Sequence, residues 1–273
     1  MLGQLLVLLH RYYSKEMRGT QTRVYKYGII FAMDCNNIAE NTCAMSLDDV
    51  ERELRGGNRV LLLVRHAERP HIDNEDPSFG AALGLTDEGA RTSREFGRLL
   101  RGAADAANGD VQFAASPLRR TVLTAALAAE GMGLAGAKVE EDALIGNSCA
   151  YVADAREMWE LFRDKLFFEH MYEYMRNGTQ RGFAPLAEAT DAFERRATSI
   201  FRARLGVFAT HDVYIAAFLH ARGACACLDK ETWPRFLDAA AIIIEPSGCR
   251  RYALLRSGLS KGICGIAPGK TPC

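Results

Sequence analysis

The sequence predicts an α/β fold, a three-layer α/β/α sandwich with a mostly parallel, doubly wound sheet and a small helical insertion. Three observations lead there. Val60-Leu61-Leu62-Leu63-Val64 and Gly206-Val207-Phe208-Ala209-Thr210 are short apolar runs without polar alternation, the mark of strands buried on both faces of a parallel sheet. Such runs alternate along the chain with stretches of helical period. Three of them stop at charged or hydroxyl residues, at the strand ends where an open sheet of this kind binds its ligands.

Residues 1–57 show no sustained period and read as an N-terminal extension, partly disordered or with a short helix. The apolar run within residues 2–9 lacks a basic stretch before it and a small-residue cleavage site after it, and is far shorter than the ~20 apolar residues of a membrane span. It is expected to be neither signal nor anchor. Met45-Ser46-Leu47-Asp48-Asp49 has the pattern of a helix start opening the folded body, with Ser46 accepting from free amides and two aspartates at the positive end. Residues 58–273 are expected to form one domain.

Within that domain, the strand at Val60 stops at Arg65-His66. A helix follows from Asp87 to Arg101 with Thr86 as its cap, then a strand, Val111-Gln112-Phe113-Ala114-Ala115. The next helix is expected to have Ser116 as cap, Pro117 at its first position, and Leu118, Val122, Ala125 and Ala129 along one face. Residues 150–204 read as a mostly helical insertion. The strand ending at Thr210 leads through His211-Asp212 into a helix bearing Ile215, Phe218 and Leu219. Ala239 to Ile244 and Tyr252 to Leu255 complete the strands, and residues 258–273 suggest a loose surface strap.

Composition limits the partners. The 273 residues carry 34 Lys+Arg and 34 Asp+Glu, which removes any whole-chain attraction to nucleic acid or an anionic membrane. A charged ligand must be met by a local site. Eight cysteines spread over so long a chain suit a reduced, cytoplasmic setting better than a disulfide framework. Cys225-Ala226-Cys227 lacks a second ligand pair and makes a poor zinc site. No metal and no cofactor is implied, and oligomeric state is not readable.

The three strand ends are Arg65-His66-Ala67-Glu68-Arg69, Ser116-Pro117-Leu118-Arg119-Arg120-Thr121 and Thr210-His211-Asp212. Each alone fits a solvated loop or a satisfied structural residue; together they have the makings of a phosphate site. They also carry a resemblance. Arg65-His66-Ala67-Glu68 resembles the Arg-His-Gly-Glu signature of the histidine phosphatase superfamily, which includes phosphoglycerate mutases and acid phosphatases. Leu85-Thr86-Asp87-Glu88-Gly89 is similar to that family's Leu-Thr-x-x-Gly helix opening, and the segment from Ser116 to Ala125 to its Ser-x-Leu-x-Arg-x-x-x-Thr-Ala pattern. His211 falls where the family's second histidine should. The resemblance spans residues 59–256 and implies a phosphoglycerate mutase-like fold and catalysis through a phosphohistidine, with no metal.

Phosphoryl transfer needs a nucleophile in line with the leaving oxygen and cations around the equatorial oxygens. His66 is the expected nucleophile, because neighbouring guanidiniums favour the neutral, attacking imidazole. Arg65, Arg69 and Arg120 are expected to clamp the oxygens with planar forks of donors. His211 is expected to be a second, cationic donor; one neutral and one charged histidine predict a bell-shaped pH profile. The proton donor has two candidate locations. In the mutase-like branch a middle-loop Glu serves, and here Glu140-Glu141-Asp142-Ala143-Leu144-Ile145-Gly146 has Gly146 in its place. In the acid-phosphatase-like branch an Asp directly after the second histidine serves, which is Asp212, and Arg69, which fits that branch's Arg-His-Gly-x-Arg pattern, favours that assignment over Glu141 or Asp142.

Departures from the family pattern narrow the expectation. Ala67 in place of Gly implies a loop that tolerates a Cβ. Arg69-Pro70-His71 in place of the mutase continuation argues for a phosphatase. Glu68 is expected to pair with an arginine, and His71 to lie on a solvated loop. The aromatic residues 158–176 could cap the site or pack a core of their own. The expected activity is that of a phosphomonoesterase on a small phosphorylated substrate. The alternatives are a protein phosphohistidine phosphatase, a mutase, or a non-catalytic protein that binds phosphometabolites or a partner.

Overall fold

A strand reports its two environments through alternation, and here both are apolar. Leu61 and Leu63 point into one core, with Phe208, Ala240 and Ile242. Val60, Leu62 and Val64 point into another, with Val207, Ala241 and Ile243. A sheet with a core on each face is a three-layer sandwich. The computed structural model describes residues 21–24, 30–33 and 44–260, except 74, 77, 165, 226 and 227. The chain divides into two units, Met1–Thr42 and Cys43–Cys273. In the first, β1 (Gln21–Val24) pairs antiparallel with β2 (Ile30–Met33). The apolar run within residues 2–9 and residues 261–273 of the expected strap lie outside the described residues.

The larger unit runs in chain order β3 (Ala44–Met45), α1 (Leu47–Arg55), β4 (Arg59–Arg65), α2 (Asp87–Leu99), α3 (Arg101–Ala106), β5 (Val111–Ala115), α4 (Arg119–Met132) and β6 (Val139–Glu141). It continues with α5 (Ala155–Phe162), α6 (Phe167–Asn177), α7 (Leu186–Ile200), β7 (Leu205–Thr210), α8 (Asp212–Ala221), β8 (Ala239–Ile244) and β9 (Arg250–Leu255). The seven strands lie in the order β3-β9-β8-β4-β7-β5-β6. Only β8 runs against the others, pairing antiparallel with β4 and β9. Val60 to Val64 are all fully buried, and each such side chain stabilises the fold by roughly 1.5–3 kcal/mol relative to exposure.

Helix starts follow local chemistry. Ser46 and Asp49 form a reciprocal capping box on α1. Thr86 caps α2 by accepting from Gly89 N at 2.9 Å. Two expectations change. The helix begun at Asp87 ends at Leu99, and Leu100 breaks it from α3. Ser116 is not the cap of α4: Leu118 holds that place without a side-chain bond, because the Ser116 hydroxyl is engaged by Thr121 and His211. The two edge strands β3 and β6 were too short to carry a period of their own.

Register brings the site together. Arg65 lies opposite Thr210, and Ala115 opposite Ala209, so β4, β7 and β5 end level. His66 N donates to Thr210 O at 3.0 Å, and Ser116 N to Ala209 O at 3.0 Å, continuing the ladder one residue beyond the strands. All three motif segments therefore leave the sheet at one edge.

Candidate active site

His66 and His211 face each other across that edge, with ring centroids 5.5 Å apart. His66 Nδ1 lies 2.8 Å from the Ala67 carbonyl oxygen. A carbonyl only accepts, so Nδ1 carries the proton and Nε2 keeps its lone pair. Burial first, then His211, Arg120 and Arg65, hold the His66 pKa well below 6.5. Both effects favour the neutral His66 ring. The Ala67 amide donates to Thr124 Oγ1 at 3.0 Å, which fixes the loop behind it. Ala67 is fully buried and does not adopt positive φ, so its Cβ is accommodated.

The three arginines converge. Arg65 is 2% exposed, donates to Pro234 O at 2.6 Å, pairs with Asp212 Oδ2 at 3.1 Å and stacks over Phe236 at 4.3 Å. Arg120 is likewise buried and donates to Gly80 O at 2.8 Å. Burial and then the neighbouring Arg69 guanidinium push its pKa down to about 10. Arg69 lies at the mouth, half-buried, with Nη1 donating to its neighbour Pro70 O.

His211 differs from expectation in its charge. It is 7% exposed, and burial together with Arg120, Arg65 and Arg69 holds its pKa well below 6.5. Three nearby positive charges make a fourth unfavourable, which favours the neutral His211 ring. Its Nε2 lies 3.0 Å from Ser116 Oγ. Asp212 opens α8, and its Oδ2 accepts from Trp233 Nε1 at 2.9 Å as well as pairing with Arg65.

Several sequence candidates lie elsewhere or bond differently. Glu68 Oε1 accepts from Thr86 Oγ1 at 3.0 Å rather than from an arginine, tying the first loop to the cap of α2. Gly89 is required at that crossing, since a Cβ there would meet Glu68 O at 2.1 Å. His71 is exposed. Glu141 is exposed, whereas Asp142 is engaged by Arg196 at 2.6 Å and by Leu144 N. At Gly146, the position of the mutase-like donor, a Cβ would lie 2.3 Å from Ser116 Cβ. No side chain fits there.

The aromatic segment packs into the core and also touches the loop after the first motif. Met158, Met171, Tyr174 and Met175 join the core, while Phe162 meets Phe79 of the loop carrying Gly80, and Arg163 pairs with Glu75 of the same loop at 2.5 Å. Trp233 and Phe236, which support Asp212, Arg65 and His66, were missed. Trp233-Pro234-Arg235-Phe236 before a strand was their only signal, and nothing local ties it to residues 65 or 212.

Two histidines and three arginines gathered at the strand ends agree with a direct family comparison: the model described as histidine phosphatase superfamily (branch 1) matches residues 61–230. This chain belongs to that superfamily. Among solved structures, this histidine phosphatase superfamily member is similar to Bacillus stearothermophilus YhfR, with 16% identity, TM-score 0.47, and 74% of this chain and 99% of that one covered. It is also similar to a mycobacterial glucosyl-3-phosphoglycerate phosphatase complexed with inorganic phosphate (14% identity, TM-score 0.46, 74% and 100% covered). A phosphoglycerate mutase from Bacillus anthracis matches at 12% identity and TM-score 0.43, covering 72% of this chain and 91% of that one. A comparison with curated proteins returned no match. Among the described residues of this superfamily member, no helix is long and apolar enough to cross a membrane, and no cluster of His, Cys, Asp or Glu is arranged to hold a metal ion.

Proposed function

We propose that this superfamily member is a phosphomonoesterase that transfers the phosphoryl group of a small substrate to His66 Nε2 and then to water. The observation that carries the reading is the His66 Nδ1 bond to Ala67 O, which leaves Nε2 as an unprotonated nucleophile beside Arg65 and Arg120. In the first step the Nε2–P bond forms as the P–O ester bond breaks, with Arg65, Arg69, Arg120 and His211 around the phosphoryl oxygens where charge accumulates. Asp212 supplies a proton to the departing alkoxide. Trp233 Nε1 donates to Asp212 Oδ2 and Arg65 pairs with the same oxygen, which holds the carboxyl group in place beside the histidines. In the second step water attacks phosphorus, Asp212 takes its proton, and the N–P bond breaks to release phosphate.

Support for Asp212 over the middle loop comes from Gly146, where a side chain would collide with Ser116, and from the pairing of Asp212 with Arg65 beside the histidines. The test is turnover. The wild type should hydrolyse p-nitrophenyl phosphate and yield an acid-labile phosphoenzyme on rapid quenching, and His66→Ala should lose both. Phosphate binding without hydrolysis from acidic to neutral pH would replace this reading with the non-catalytic binding protein.

A further inference from the structure

The hydroxyl chain behind His211 fixes where its proton sits. Thr121 Oγ1 lies 2.7 Å from Ser116 O and 2.6 Å from Leu118 O. Both are carbonyl oxygens and only accept, so the single hydroxyl hydrogen of Thr121 is committed to them. Ser116 Oγ lies 2.9 Å from Thr121 Oγ1, and with Thr121 unable to donate, Ser116 must. Having given its own hydrogen to Thr121, Ser116 Oγ meets His211 Nε2, 3.0 Å away, as an acceptor. Ser116, Thr121 and Thr210 are fully buried, so no bulk water reverses this order.

We propose that Ser116, held as a donor by Thr121, is a positioning residue that locks neutral His211 in the Nε2–H tautomer and leaves only Nδ1 for the phosphate. The inference deepens the phosphatase reading and rests on it for the role of His211. Its consequence is a proton requirement. A neutral Nδ1 offers phosphate oxygen a lone pair against lone pairs, so the anion binds well only when Nδ1 gains a proton. The groups facing His211 are Arg65 and His66 at the end of β4, Arg69 on the following loop, Arg120 of α4, and Asp212 and Tyr214 of α8. The arginines exclude that proton from the empty site, and the phosphate dianion admits it. Ligand and proton therefore enter together. A phosphate monoanion brings the proton with it.

The test is made on the unliganded protein and needs no turnover, so it fails independently of the phosphatase reading. Long-range proton–nitrogen NMR distinguishes a protonated from an unprotonated ring nitrogen in neutral histidine. Wild type and Thr121→Ser, which keeps the hydroxyl, should show His211 as Nε2–H. Ser116→Ala removes the acceptor, and Thr121→Val releases the Ser116 hydrogen towards His211; both should lose the pure Nε2–H signature. Nδ1–H in the wild type, or Nε2–H persisting in Ser116→Ala, overturns the proposal. Should Ser116→Ala fail to fold, the contrast between Thr121→Val and Thr121→Ser decides in the same way. Binding of inorganic phosphate should weaken about tenfold per pH unit once phosphate is fully dianionic, and a pH-independent affinity there also overturns it.

Discussion

Replacing Arg120 with methionine should leave the empty protein at least as stable while abolishing its response to phosphate. Arg120 is buried beside Arg69 and Arg65, and its pKa falls from the ordinary guanidinium range to about 10. At about 1.4 kcal/mol per pKa unit, holding it charged costs about 3 kcal/mol at any pH well below 10. The sign follows from the direction: a depressed folded-state pKa of a cation is a penalty present below that pKa and relieved only as pH rises above about 10. Methionine removes the penalty in a straight chain of similar length. It also removes the bond to Gly80 O, a charge-assisted contact worth about 1.5–3 kcal/mol. The net change is about 0–2 kcal/mol in favour of the variant, a rise of up to about 5 °C in Tm. Differential scanning calorimetry in phosphate-free buffer measures it. Phosphate at 100 times Kd should raise wild-type stability by about 2.7 kcal/mol and leave Arg120→Met unmoved. A fall of more than about 5 °C in the empty variant, or an equal phosphate response, would refute the view that this pocket is strained by like charge until the anion arrives.

Other expectations follow from the same site. Because His66 and His211 titrate well below 6.5 when folded, the unfolded chain takes up protons there first as pH falls, so stability should decline from about pH 6.5 downward. The slope is about 1.4 kcal/mol per pH unit per histidine, measured by urea denaturation in phosphate-free buffer, and His211→Gln should remove about half of it. Gly146→Ala places a Cβ 2.3 Å from Ser116 Cβ, and kcat should drop by about 10²-fold as the Ser116–His211 pair shifts; unchanged kcat would mean the loop yields instead. Trp233→Phe deletes the Nε1–H that orients Asp212 Oδ2, so hydrolysis of alkyl phosphates should slow about tenfold more than that of p-nitrophenyl phosphate, and equal slowing would count against Asp212 as the donor.

Much of the architecture was legible because its signals are local. Val60 to Val64 and Gly206 to Thr210 read as buried strands since both faces of the sheet are apolar, and Ser46 and Thr86 announced their helices through hydroxyls that meet nearby amides. Short edges were not legible: β3 has two residues and β6 three, less than one repeat of any period. Ser116 was misread for a related reason. A Ser-Pro pair at a helix start fits a cap, and only the fold brings a histidine 95 residues later within reach of that hydroxyl.

By itself the sequence determined the kind of chemistry: which residues end the strands, and that two histidines and three arginines are suited to a phosphoryl group. Tertiary structure decided their protonation. A pKa depends on burial and on charges brought close by distant segments, so burial and the convergence of Arg120, Arg65 and Arg69 favour a neutral ring at His211 where the sequence led to a cation. It also decided the support, since Trp233 and Phe236 reach Asp212, Arg65 and His66 only because β8 returns antiparallel beside β4.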